Sequence, residues 1–292
     1  MPRILDGKKI AQNLKDQLKI EIENIKIKYN RVPGLAVIQV GNVAASSVYV
    51  KAKTKAAKEV GINVIDHHLE ESTNQNDLIN LINQLNNNDD VNGILVQLPL
   101  PETINEEVVL NSIVPNKDAD GFHPLNVGKL SISQKNDENL MMPCTPYGCL
   151  LLLRELKINL VGKNAVVIGR SNIVGKPMAQ LLLKESCTVT IVHSKTVNIE
   201  SICKNADILI AAIGKPEFVN TNWVKDGAIV IDVGINRIKI DDEKSKLVGD
   251  VLFSKIKNIV SAITPVPGGV GPMTIACLLR NTTIAFKNSN KI

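Results

Sequence analysis

The sequence predicts an α/β protein of two domains, each built on a parallel sheet. Three observations carry this reading. Short apolar runs of strand length alternate with amphipathic helical stripes, the pattern of a parallel sheet covered on both faces. The alternation pauses at residues 131–140, SISQKNDENL, which are polar and aperiodic, and restarts at Ala165. A chain of 292 residues is also long for one hydrophobic core and comfortable for two.

Residues 8–29 set Ile10, Leu14, Leu18, Ile22 and Ile25 three or four apart, one apolar stripe opposite lysines and acids. Residues 35–40, between Pro33-Gly34 and Gly41, read as a buried strand, and residues 46–60 as a helix ended at Gly61. A second strand follows at 62–69, then a helix at 76–85 with Leu78, Ile82 and Leu85 on its inner face. The third strand, 91–98, is stopped by Pro99 and Pro101, which cannot donate to a central ladder, and a short helix covers 106–113. Beyond the polar segment, strands are expected at 165–168, 188–192, 208–212, 228–233 and around 259–262. Helices are expected at 176–185, 199–205 and 273–286, the last returning to the first domain. The domains are then 1–142 completed by 273–292, a substrate domain, and 143–272.

Composition excludes several classes. Aromatic residues are only 3%, so the core must be aliphatic, which suits buried parallel strands of Val, Ile and Leu. The net charge of +5 comes from scattered lysines and arginines interleaved with acids, not a basic block, so no nucleic-acid partner is expected. Apolar runs such as 150–153 fall far short of the ~20 residues of a membrane helix. Five cysteines without a CxxC pair or a neighbouring histidine at ligand spacing imply reduced thiols in a cytoplasmic setting, with no disulfide framework and no metal site.

Parallel sheets place ligands at the C-terminal ends of their strands. In the second domain the strand at 165–168 runs into Gly169-Arg170-Ser171-Asn172-Ile173-Val174-Gly175-Lys176-Pro177. A glycine there lets the backbone approach a pyrophosphate, and Gly175 and Pro177 open a helix whose free N–H groups favour phosphate. The spacing, GxSxxxG, is looser than the dinucleotide fingerprint, and a ligand-free strand-to-helix turn would look alike. The next strand ends in His193-Ser194-Lys195-Thr196, without the acidic residue that bonds the ribose of NAD. A hydroxyl and a cation, with Arg170 for a bidentate contact, suit a 2′-phosphate, so the domain is expected to be a Rossmann-like NADP-binding one. His193 reads as structural.

In the first domain Tyr49 and Lys53 are four apart and share a helix face. Alone, the pair reads as a solvated surface. Gln97 ends an otherwise apolar strand at the ligand edge, and Lys117-Asp118-Ala119-Asp120-Gly121-Phe122 is a turn with two carboxylates. Asp118 and Asp120 can form the turn, and Asp120 can alternatively bond a donor-rich heterocycle. Thr264-Pro265-Val266-Pro267-Gly268-Gly269-Val270-Gly271-Pro272-Met273-Thr274 is stiff and poor in side chains, either a hinge or a bare-backbone ligand surface.

Tyr49-x-x-x-Lys53, the run from Gly93 through Gln97 to Pro101, the turn at Asp120 and the Pro/Gly loop together resemble the bifunctional methylenetetrahydrofolate dehydrogenase/methenyltetrahydrofolate cyclohydrolase family over nearly the whole chain. The resemblance implies that Lys53 is catalytic in the cyclohydrolase step, assisted by Tyr49 and Gln97. It implies that Asp120 holds the pterin and that Val96, Leu98, Pro267, Gly268 and Gly271 also line the folate. NADP contacts are implied for Gly169, Arg170, Ser171, Ser194 and Ile235, and members are homodimers. A rival, the shikimate- or amino-acid-type dehydrogenase, also pairs an α/β substrate domain with a Rossmann domain but gives no role to the Gln97 strand or the Pro/Gly loop. A second, a non-catalytic folate- or nucleotide-binding protein, is opposed by Tyr49, Lys53, Gln97 and Asp120 together, and a third keeps the enzyme but drops one of the two activities.

Overall fold

The computed structural model describes residues 2–42, 44–133, 139–239, 241 and 245–292. In chain order the elements begin β1 (Arg3–Ile4), α1 (Gly7–Tyr29), β2 (Gly34–Val40), α2 (Ala44–Val60), β3 (Asn63–Leu69), α3 (Gln75–Asn86), β4 (Gly93–Val96), α4 (Glu106–Ser112), α5 (Pro124–Ile132) and α6 (Cys144–Arg154). They continue with β5 (Asn164–Ile168), α7 (Gly175–Lys184), β6 (Thr188–Val192), α8 (Ile199–Lys204), β7 (Ile208–Ala211), β8 (Ile229–Asp232), β9 (Asn236–Lys239), β10 (Ser245–Val248), α9 (Phe253–Ile256), β11 (Ala262–Ile263) and α10 (Val270–Asn290).

The chain forms two compact units, Gln12–Cys144 with Ile275–Ile292, and Met1–Ala11 with Thr145–Thr274. The first holds a parallel sheet in the order β3-β2-β4. Here β2 is central and buried along its whole length, apolar but for Gln39 near its end. Leu78, Ile82 and Leu85 of α3 pack into its core with Ile38, Ile94 and Val96, as the stripe predicts. β4 is shorter than the expected strand, but the Gln97 N–H still bonds the Ile38 carbonyl at 2.9 Å, and Asp118 bridges in parallel to Ile94.

The second unit holds a six-stranded sheet, β1-β11-β8-β7-β5-β6, parallel throughout. β5 is flanked by β6 and β7, so the chain reverses its direction of winding at β5, and a crevice opens there at the C-terminal edge. The sequence reading divides the chain into 1–142 with 273–292, and 143–272; by compactness residues 1–11 and 273–274 fall with this unit and 143–144 with the other. Arg3–Ile4 pair with Ala262–Ile263 at the sheet edge, a contact across the length of the chain that a two-residue strand cannot announce. The expected strand around 259–262 is likewise only Ala262–Ile263. The hairpin β9–β10 is antiparallel and was not anticipated, nor were helices α5 and α6. Of the polar segment 131–140, residues 134–138 lie outside the described residues. All five cysteines are buried and outside any disulfide, and no helix among the described residues is long and apolar enough to cross a membrane.

Candidate active site

In the three-stranded unit, β2 ends at Val40, and Gly41 follows with a φ of +71° that turns the chain out of the strand. Gln39, 3% exposed, braces this corner: its amide donates to the Gly41 carbonyl at 3.0 Å and to the Ser47 hydroxyl at 2.8 Å. The brace fixes the start of the helix that carries Tyr49 and Lys53. Lys53 is only 7% exposed, and its Nζ donates to Gln97 Oε1 at 2.9 Å. Gln97 Nε2 in turn donates to the Leu98 carbonyl at 2.7 Å, so the amide oxygen is held toward the ammonium. A lysine this enclosed is not the solvated side chain that the helix alone would suggest. Tyr49 is half-buried, and burial raises its phenol above the ordinary value.

The turn after β4 assigns different work to its two carboxylates. Asp118, 3% exposed, accepts from the N–H groups of Gly121, Phe122 and His123 and from Asn126 Nδ2 at 2.8–3.1 Å. It is the turn's scaffold, with its lone pairs committed. Asp120 is half-buried, and no donor among the described residues bonds its carboxylate. Burial pushes it up to about 6, against the pull of the Lys53 charge, with the Asp118 charge adding to the rise. Lys53, Gln97 and Asp120 therefore form one cluster, an enclosed cation beside an uncommitted carboxylate. Such a cluster can bind a heterocycle that presents N–H groups and can move a proton at an adjacent atom. The buried thiols cannot compete: Cys144 is raised well above its ordinary value by burial, and burial pushes Cys277 up to about 12.

Sequence reading missed Asn281. This fully buried side chain on α10 donates to the Ala119 carbonyl at 2.9 Å and to the Met142 carbonyl at 2.8 Å, clamping the Asp120 turn. The available signal was Asn281-Thr282-Thr283, a polar run inside an otherwise apolar helix. Val96 lies in the core cluster, so only its backbone can meet a ligand; Leu98 is half-buried. Pro267, Gly268 and Gly271 fall in the six-stranded unit. There Pro267 is exposed, and Gly268 has a φ of +103° and accepts from the Lys8 N–H.

In the six-stranded unit, Gly169 follows β5 with a φ of +117°, and a Cβ there would strike the Ala212 carbonyl oxygen. A Cβ on Gly175 would strike Gly169. The two glycines thus leave a bare backbone cradle in front of α7, which has no side-chain cap at Val174. Ser171 Oγ accepts from the Val174 and Gly175 N–H groups at 3.2 and 3.3 Å and shapes the cradle. Arg170, Ser194 and Lys195 are exposed at the ends of β5 and β6, where no carboxylate stands. His193 is structural, its ring nitrogen accepting from the Lys195 N–H and its own N–H bonding Thr196 Oγ1. Ile235 is 43% exposed beyond β8. The cradle, the exposed cation and the hydroxyl fit a dinucleotide bearing an extra phosphate.

Two family profiles match the chain. One, the tetrahydrofolate dehydrogenase/cyclohydrolase catalytic domain, covers residues 5–120, and the other, the NAD(P)-binding domain of the same family, covers 143–290. The bifunctional protein FolD of Acetivibrio thermocellus is 54% identical over 290 residues, 99% of each chain. Among solved structures, the bifunctional methylenetetrahydrofolate dehydrogenase/cyclohydrolase of Campylobacter jejuni is 47% identical with a TM-score of 0.93, covering 99% of this chain and 100% of its own. The Trypanosoma brucei enzyme, solved with NADP and an inhibitor, is 38% identical with a TM-score of 0.94, covering 100% and 99%.

Proposed function

The chain belongs to the tetrahydrofolate dehydrogenase/cyclohydrolase family, and from that premise we propose that the Lys53–Gln97–Asp120 cluster binds the folate and that Lys53 carries the proton of the hydrolytic step. The protein oxidises 5,10-methylenetetrahydrofolate to the 5,10-methenyl form with NADP, then hydrolyses that to 10-formyltetrahydrofolate.

NADP, when bound, supplies the acceptor for the hydride that leaves the one-carbon bridge. Gly169, Arg170, Ser171, Ser194 and Ile235 would hold it, the absence of a carboxylate after β6 favouring the 2′-phosphate. Loss of hydride leaves an amidinium cation shared by two folate nitrogens. No proton moves, so the protein's part is to position the pterin, by hydrogen bonds to Asp120 and by Tyr49 against the ring. Hydrolysis differs. Water adds to the cationic carbon and loses one proton; as the adduct collapses, the departing nitrogen gains a proton when its bond to carbon breaks, and the hydroxyl gives up its own proton to solvent as the formyl carbonyl forms. Lys53, acting as the neutral amine, takes the proton of the attacking water and returns it to the departing nitrogen, while Gln97, fixed by its bond to Leu98, orients the lysine. The observation that carries this reading is the 2.9 Å contact of the enclosed Lys53 Nζ with that amide oxygen.

The test separates the halves. Methenyltetrahydrofolate alone should be converted to the 10-formyl product without dinucleotide, and methylenetetrahydrofolate should reduce NADP faster than NAD. Wild-type protein that hydrolyses no methenyl substrate would remove the role given to Lys53. The reading also includes a homodimer, supported by the family, in the cytoplasm, supported by five buried cysteines outside any disulfide; a sedimentation mass of one chain would refute the dimer.

A further inference from the structure

Two aspartates outside the catalytic cluster hold the ligand edge of the six-stranded sheet. β7 ends at Ala211, and Ala212 makes the last ladder bond, to Ile168. The next two N–H groups have no strand to pair with. Asp250, fully buried, accepts both on Oδ2, from Ile213 at 2.7 Å and Gly214 at 3.0 Å. Its Oδ1 accepts from Asn236 Nδ2 at 2.9 Å, beyond β8. Asp232, at the end of β8, accepts from the N–H groups of Gly234, Asp250 and Val251 at 2.9–3.0 Å. The packing is reciprocal, since a Cβ on Gly234 would fall on the Asp250 carboxylate and one on Gly249 on the Asp232 carboxylate. Burial, aided by the neighbouring Asp250 charge, pushes the Asp232 carboxyl up to about 7 against the pull of its donors.

These loops matter because of the direction a dinucleotide must take. With its pyrophosphate at the Gly169–Gly175 cradle and its 2′-phosphate beside β6, the remaining half has to run the other way, over the ends of β7 and β8. There it meets the loops that carry Ile213-Gly214 and Gly234-Ile235-Asn236.

We infer that Asp250 is a positioning residue for the dinucleotide: one carboxylate joins the loops after β7 and β8 and so sets the affinity for the half of the ligand lying across them. The inference deepens the proposed NADP site and rests on it. Three acceptor contacts from one fully buried side chain to two separate loops exceed what a lone turn needs.

The experiment measures the Kd of NADPH by its fluorescence, with hydrolysis of methenyltetrahydrofolate as a readout that requires no dinucleotide. Asp250→Ala should weaken NADPH binding and raise the KM for NADP at least ~10-fold, because two backbone donors of the loop after β7 lose the acceptor that holds them. Hydrolysis should stay within about twofold of wild type. Asp250→Asn, which keeps an oxygen toward Ile213 and Gly214, should restore most of the affinity. NADPH affinity unchanged in Asp250→Ala would overturn the inference while leaving the NADP site standing. Wild-type protein that does not bind NADPH would overturn both. If Asp250→Ala does not fold, Asn236→Ala decides in its place: it removes only the tether on Oδ1, an affinity drop of about threefold is expected, and no drop would sink the coupling of the two loops.

Discussion

Replacing Lys53 by Met should silence hydrolysis and spare hydride transfer. Methionine keeps the length and the apolar stem of lysine but can neither give nor take a proton. General acid–base groups contribute ~10²–10⁴ in rate, about 3–5 kcal/mol of barrier, and hydrolysis should fall by that factor. Folding should not fail. Gln97 Oε1 loses a partner 2.9 Å away, but Gln97 is only half-buried and can take up water. The enclosed ammonium, at 7% exposure, no longer has to be desolvated. These opposed effects leave stability within roughly 1 kcal/mol of wild type. A second consequence follows from Asp120. The Lys53 charge lowers its pKa, so in the variant it titrates above the present value of about 6. Dehydrogenase assays belong at pH 8, where the carboxylate is still ionised, with methylenetetrahydrofolate and NADP; the hydrolysis assay uses methenyltetrahydrofolate alone. Hydrolysis retained within tenfold, or dehydrogenase activity lost in parallel at pH 8, would refute the division of labour.

Three further outcomes are expected. Asp120 is held at about 6, so its carboxylate form is lost as pH falls through that value, and the folate KM should rise below pH 6; an Asp120→Asn variant should bind more weakly with no such inflection. Because this folded value lies above the ordinary 3.8, the native state holds the extra proton and stability should decline as pH climbs from about 4 to about 6; Asp120→Asn should make that slope shallower in thermal melts, the raised Asp232 keeping its own share. Exchanging both Arg170 and Ser194 for Ala should raise the KM for NADP ~10-fold, the worth of solvent-exposed phosphate contacts, and leave NAD unaffected; equal losses with both cofactors would show that these residues do not read the 2′-phosphate. Gly121→Ala puts a Cβ 2.5 Å from the Met142 backbone carbon at a φ of +76°, which should cost roughly 2–4 kcal/mol in denaturant titrations; a neutral result would mean the turn relaxes freely.

Much of this molecule is legible before folding, and the reasons are local. The stripe of Leu78, Ile82 and Leu85 is a periodicity over about two turns, and β2 is a largely apolar run framed by glycines, so both are written in nearby residues. Gln97 stands out because a polar residue ends a strand of Gly93–Val96 that is otherwise buried. What escapes is set by partners distant in sequence. β1 has two residues and gains meaning only from Ala262–Ile263. Leu150–Leu153 show no amphipathic stripe because α6 is buried on almost every side, so periodicity cannot reveal the helix. Asp118 and Asp120 look equivalent in a turn, and only the donors around Asp118 separate scaffold from ligand group. Asp232 and Asp250 give no signal, since each is defined by N–H groups that the sheet leaves unpaired.

A single time course tests the whole account: methylenetetrahydrofolate and NADP with wild-type protein, following reduced dinucleotide, the methenyl intermediate and 10-formyltetrahydrofolate together. The expected result is one 10-formyl product for each NADPH formed, with the methenyl species never approaching their level. Methenyltetrahydrofolate accumulating one-for-one with NADPH, and decaying no faster than in buffer, would contradict the hydrolytic role of the Lys53 cluster.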